Sequence, residues 1–197
     1  MRNDRLQEML PRSETPFVYA AASNASYWGV AAQDALQVVG VAKPNESEIT
    51  ISVLMQEVRR AHHFGFTENE YERAKANYMS GLEKNYNERD KQLSRYYVGQ
   101  YVNHFLKNDP IPSIEDRYNV MKQLTPNIPL QAINQILQQL VSDENRVVVL
   151  IGPEQEKESY PSVNQIAEII KLVDAQELTA YEDNTVTEPL MSSMPTP

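Results

Sequence analysis

The sequence predicts an α+β fold: a mainly antiparallel sheet with helices packed on one face. Three observations point to it. Between Phe17 and Ala42 the chain is a series of short runs of small, β-branched and aromatic residues separated by polar ones, which is strand patterning. From about Glu46 to Val141 apolar residues recur at three- and four-residue spacing, which is helical. A continuous apolar run, Arg146 to Ile151, then returns to strand-like composition. Strands, then helices, then a returning strand is the order of a two-layer α+β sandwich.

The first element is a helix over residues 3–10, with Leu6, Met9 and Leu10 on one face. Pro11 ends it, because the residue before a proline avoids the α region. Phe17 to Ala22, Trp28 to Ala32 and Ala35 to Ala42 read as three strands, with Ser23, Asn24 and Ser26 among the turn residues. After Lys43-Pro44-Asn45, a helix from about Glu46 to His63 carries Ile49, Val53, Met55, Val58 and Phe64, the face expected to pack on the sheet.

The stretch Gly65-Phe-Thr-Glu-Asn-Glu-Tyr-Glu-Arg-Ala-Lys75 closes that helix and opens the next. Gly65 stands where a helix stops on a residue of positive φ, and His62 and His63 fall in the last turn, where positive charge suits the dipole. Thr67 with Glu70 three residues on is a capping box, so a helix starts at Glu68. From Glu68 to Leu106 the tyrosines and leucines keep helical spacing, but the polar stretch Asn87 to Gln92 divides it into two helices. Asn108 to Pro112 is a turn, Ser113 caps a short helix to Leu124, and Thr125-Pro126 starts another to about Val141. Arg146 to Ile151 is expected to be buried on a face of the same sheet, and Asn164 to Val173 to form a last helix.

Length and composition bound the function. The 197 residues suit one domain, 1–181, followed by a proline-containing linker or tail, 182–197. The 18 basic residues are scattered among 27 acidic ones for a net charge of −9, which argues against nucleic acid as a partner, since that needs clustered cations. Absence of cysteine removes disulfides, thiolate metal ligands and a thiol nucleophile, and leaves the compartment open. No run of about 18 apolar residues is long enough to span a membrane.

Chemistry-bearing motifs are scarce. There is no Gly-x-Ser-x-Gly elbow, and the 6 glycines form no phosphate-cradling loop. The three histidines are His62, His63 and His104. Adjacent helical residues point about 100° apart, so His62 and His63 do not share one ion; neither a catalytic residue nor a metal ligand is assigned here. The eleven tyrosines could line a peptide-binding wall, but Tyr71, Tyr78, Tyr86, Tyr97 and Tyr101 sit at helical spacing that favours packing.

The junction at Gly65 to Lys75, the segment Asn87-Glu-Arg-Asp-Lys91 and the exit Val147 to Glu154 together resemble the pitrilysin/insulinase family of zinc metallopeptidases, over roughly residues 3 to 160. The likeness is to the second, non-catalytic repeat of large bacterial multi-domain members. The catalytic repeats of that family carry His-x-x-Glu-His, two imidazoles one helical turn apart with a carboxylate as general base; this chain has no such motif. The resemblance therefore implies a chain that lines the substrate chamber and is inactive alone. It carries no cofactor of its own, and zinc is expected in the catalytic repeat of the parent protein. Its partners would be the other repeats of that protein and a peptide substrate. On this resemblance Met1 lies inside a longer chain, and the location implied is periplasm or cell envelope. The alternative is a catalytically inactive scaffold homologue that binds partner subunits.

One pair of residues is a candidate for substrate binding by the same resemblance. Family members place an Arg near a helix end and a Tyr seven residues on, in the next strand, where both hydrogen-bond substrate; Arg12 and Tyr19 have that separation. A guanidinium fork with a phenol suits a peptide carbonyl or its developing oxyanion. This chain departs from the pattern in having Pro11 before the Arg and Pro16-Phe17-Val18 before the Tyr.

Overall fold

The computed structural model describes residues 1–26, 34–142 and 144–183. Helix α1 (Arg2–Met9) leads to a hairpin of β1 (Phe17–Ser26) and β2 (Asp34–Ala42), followed by α2 (Ser47–Phe64), α3 (Glu68–Asn87), α4 (Ser94–Lys107), α5 (Ile114–Leu124), α6 (Leu130–Leu140) and α7 (Val163–Ala175). The α+β class and the antiparallel sheet are as expected. The expected strand Trp28 to Ala32 lies outside the described residues.

The hairpin register explains which residues face the core. A bulge between Phe17 and Tyr19 resets the alternation, after which Ala20 faces Gly40 and Ala22 faces Val38 on the inner side. Tyr19 opposite Val41, and Ala21 opposite Val39, form the outer side. Ser23, Asn24 and Ser26, read as turn residues, are paired instead with Gln37, Leu36 and Asp34, because main-chain pairing continues past the apolar stretch.

Leu6, Phe17, Ala20 and Leu54 form the first core cluster, flanked by Met9, Leu10, Ala22, Val38 and Val53. Helix α2 approaches closely because β2 presents Gly40. A Cβ there would stand 2.6 Å from Leu54 Cδ1 and 3.2 Å from Thr50 Cγ2. The Thr50 hydroxyl also donates to the Pro16 carbonyl at 3.0 Å. The buried face of α2 is thus Ser47, Thr50, Leu54 and Ala61, while Ile49 and Phe64, expected in the core, are about half exposed. The approach to Gly40, which helical spacing cannot show, sets the rotation of the helix.

A second cluster, Ala61, Phe66 and Leu137 with Leu130, Ile133 and Val141, joins α2 to α6. The other side of α2 meets α7, where Val173 is buried and Arg59 pairs with Asp174 at 2.5 Å. Helix α3 rests on α5 through the stacked rings of Tyr86 and Tyr118, 4.6 Å apart. Between α5 and α6 the chain forms a 3-10 turn at Thr125–Asn127 in which Pro126 is an early residue. The expected helix from Pro126 begins only at Leu130, because Ile128 precedes Pro129 and is extended.

The returning strand is the main departure from expectation. Residues 146–151 join no sheet among the described residues, and Val147, Val149 and Ile151 are exposed to 65%, 56% and 78%. The two described strands pair only with each other, so this segment has no described partner for its amides and carbonyls. Helix α4 departs too. Tyr97, Val98, Tyr101, Val102 and Phe105 share one exposed side, so of the core or inter-domain contacts expected for Tyr97 and Tyr101 the core ones are not made among the described residues.

Candidate functional site

The junction from Gly65 to Lys75 is built as its sequence implies. Gly65 ends α2 at φ 71°, ψ −164°, backbone that only glycine adopts readily. The Thr67 hydroxyl accepts from the Glu70 amide at 3.3 Å, and the Glu70 carboxylate accepts from the Thr67 amide at 2.8 Å. Asn134 of α6 reads the same turn from outside: its Oδ1 accepts from the Phe66 amide at 2.9 Å.

Glu70 has a second role that the capping box alone does not reveal. Its two carboxylate oxygens accept a fork from Arg5 of α1, Nε to Oε1 at 2.5 Å and Nη2 to Oε2 at 2.7 Å. Nη2 also donates to the Gly65 carbonyl at 3.0 Å. Both side chains are nearly sealed from solvent, 3% exposed for Arg5 and 1% for Glu70. A capping glutamate uses few of its lone pairs, which signals a further donor, but nothing local names Arg5 as that donor.

The chain after α7 closes over this pair. Gln176 accepts from Gln56, and the Thr179 carbonyl accepts from Arg60. Tyr181 lies 4.3 Å from the Arg5 guanidinium by its ring, and Phe66 faces the same group at 5.1 Å. The Tyr181 hydroxyl donates to Glu8 at 2.5 Å. Burial, then this bond to Glu8, raises the phenol pKa well above its usual range. Asp183 pairs with Arg73 at 2.8 Å.

Arg12 and Tyr19 are both solvent-facing. Arg12 lies in the turn after α1, where its amide donates to the Met9 carbonyl at 3.0 Å, and Tyr19 is 50% exposed on the outer side of β1 beside Val41. No hydrogen bond joins the two side chains. Beside them, Glu14 is held below the usual carboxylate range by a backbone hydrogen bond and the Ser13 hydroxyl, with Arg12 and Lys43 adding smaller effects. Tyr19, Val39 and Val41 leave an apolar strip on the outer hairpin face.

The histidines lie on two helices, His62 and His63 on α2 and His104 on α4. The rings of His62 and His63 are 5.5 Å apart and edge to face, and His63 Nε2 lies 3.3 Å from the Arg59 guanidinium, whose charge opposes a second cation. His104 turns its Nδ1 to the Asp109 carbonyl at 2.7 Å. Among the described residues no three His, Asp or Glu side chains are grouped to hold a metal, and no helix is long and apolar enough to cross a membrane.

A helix-backed hairpin and a keyed helix joint, carrying the junction motif of pitrilysin-like enzymes, mark this chain as a relative of zinc proteases, matched over one segment of them. The sequence relationship is to a zinc protease PQQL-like protein of Arabidopsis thaliana, 26% identical over 140 residues. That match takes in 71% of this chain and 15% of the length of the plant protein. The fold is that of part of the periplasmic protease PqqL from Escherichia coli, with a TM-score of 0.74 at 20% identity over 98% of this chain and 21% of that one. The structure of the first half of PqqL aligns with a TM-score of 0.72 at 20% identity, over 92% of this chain and 39% of that one. No family model matches the sequence.

Proposed function

We propose that this chain is a non-catalytic repeat of a pitrilysin-like zinc metalloendopeptidase, forming part of the wall of the substrate chamber while another repeat supplies zinc and general base. The observation that carries this reading is the relationship to one segment of a zinc protease. It is supported by an outer hairpin face whose exposed Tyr19, Val39 and Val41 suit an extended peptide. In the assembled enzyme Arg12 and Tyr19 would donate hydrogen bonds to a substrate carbonyl, a contribution that counts when charge develops on that oxygen. The other repeats of the same polypeptide and the peptide substrate are the partners on this reading. A periplasmic or cell-envelope location follows by extension from the bacterial protease of like fold.

The test is zinc content and peptidase activity of the 197-residue chain. Neither should exceed background, whereas stoichiometric zinc or chelator-sensitive hydrolysis would overturn the reading. The exposed apolar side of α4 favours a second reading, a scaffold that binds partner subunits without any proteolysis. The two separate on whether a His-x-x-Glu-His helix exists on a comparable repeat of the same polypeptide. Its absence favours the scaffold.

A further inference from the structure

The segment from Gln176 to Asp183 covers one of the most deeply buried sites of the domain, yet none of its own residues is buried. Polar side chains hold it. Gln176 Oε1 accepts from Gln56 at 2.9 Å, and the Thr179 carbonyl accepts from Arg60. The Tyr181 hydroxyl donates to Glu8, and Asp183 accepts from Arg73 at 2.8 Å. Tyr181 lays its ring 4.3 Å from the Arg5 guanidinium, above the ion pair with Glu70. A surface segment held by polar contacts, with little apolar area of its own covered, has low local stability and can open while the rest stays folded. The site beneath also favours opening. Arg5 Nη1 is buried without a hydrogen-bond partner among the described residues, and a donor left unmatched away from water carries a desolvation cost. Cation–π contact with Tyr181 and Phe66 offsets that cost while the segment is in place.

We infer that residues 176–183 form a latch that opens and closes as one unit on the folded domain, and that its closing seals the joint between α1, α2 and α3 from water. Closed, the latch keeps Arg5 and Glu70 at 3% and 1% exposure, where each ion depends on the other. Open, water reaches Nη1 and the guanidinium face that Tyr181 had covered, and the pair becomes a solvated one of the kind that contributes little. The latch therefore sets how firmly α1 is held against α3 without altering the capping box, which Thr67 and Glu70 complete between themselves. This device is independent of the peptidase reading, whose tests are metal content and hydrolysis.

Chymotrypsin, which cuts after aromatic residues, tests the latch in the 197-residue chain, with cleavage after Tyr181 and after Phe66 followed separately by mass spectrometry. Cleavage tracks the population of the opened form, and Phe66 belongs to a core cluster, so its bond reports unfolding of the domain. Cut rates are corrected for the effect of urea on the protease. Cleavage after Tyr181 should be slower than in the urea-unfolded chain and nearly constant across low urea, where cleavage after Phe66 climbs, because urea dependence scales with the surface exposed. Gln56→Ala and Glu8→Ala each remove one hydrogen bond from the latch, and each should speed cleavage after Tyr181 about fivefold. Equal urea slopes at the two bonds would overturn the inference, since the segment would then open only with the domain. So would a Tyr181 rate that either variant leaves unchanged. The seal has its own readout in the Arg5 Nε proton, which is donated to Glu70 and should exchange with solvent with the same small urea slope. A slope as steep as that of the Leu54 amide in α2 would show that the joint stays sealed when the latch opens, and would overturn the sealing role.

Discussion

Glu70→Gln tests the joint between α1, α2 and α3 most sharply, because it preserves shape and changes charge. In the native chain one carboxylate takes the Thr67 amide and two guanidinium bonds from Arg5, inside a site where both side chains are almost wholly covered. The amide keeps an oxygen for one of those donors and turns an NH₂ group toward the rest. Arg5 is then a buried cation without a counter-charge, which costs about 3–5 kcal/mol. Thr67→Ala removes only the cap from the other side and should cost about 1 kcal/mol. Since about 1 kcal/mol moves the midpoint of a domain this size by about 2–4 °C, Glu70→Gln should lower Tm by about 6–20 °C. Urea unfolding followed by far-ultraviolet circular dichroism reads both variants. The double variant Arg5→Met, Glu70→Leu should recover most of the loss, because no buried charge remains. A Glu70→Gln cost no larger than that of Thr67→Ala would refute the view that the ion pair, and not the cap alone, holds the joint.

Other outcomes follow from single positions. Gly65→Ala should cost about 1–3 kcal/mol in the same urea assay, because the backbone there is a glycine conformation and the new Cβ would stand 2.7 Å from Asn134; an unchanged midpoint counts against it. Tyr181 should be the last phenol to ionise in an ultraviolet titration of the folded chain, and Tyr181→Phe should remove that step. Since its pKa is raised on folding, its contribution to stability is intact below the unfolded value of about 10 and is lost as pH climbs beyond it. A stability curve whose alkaline limb is the same in Tyr181→Phe would exclude this linkage. In a zinc-bearing parent protease, Arg12→Ala or Tyr19→Phe should each slow peptide hydrolysis about 10²-fold if they act on the transition state. Full activity in both variants would remove them from the site.

The features legible in the sequence are those that short-range physics decides. Thr67 with Glu70, Ser113 before α5 and Gly65 after α2 each satisfy helix-end groups a few residues away, and each is found where expected. The burial of Leu6, with Met9 and Leu10 partly buried beside it at the end of α1, also follows from local spacing. What escaped was set by distant neighbours. Thr50 and Leu54 outcompete Ile49 for the sheet because Gly40 leaves room for them. Arg5 finds Glu70 across 65 residues of sequence, a pairing that no window contains. Val147 to Ile151 has the composition of a buried strand, yet composition does not supply the neighbour that burial requires. The same holds for the candidate site: the family resemblance singled out Arg12 and Tyr19, but whether they meet depends on what lies above the hairpin.

The segment from Gln176 to Asp183 crosses α2, α1 and α3 in turn, held by Gln56, Arg60, Glu8 and Arg73. Mechanically this is a strap loaded in shear. A displacement applied at Asp183 is shared among successive fasteners along three helices, instead of peeling one contact at a time. Because Tyr181 also rests on Arg5, that load is delivered to the joint at Gly65, so whatever moves position 183 moves the first three helices as one body.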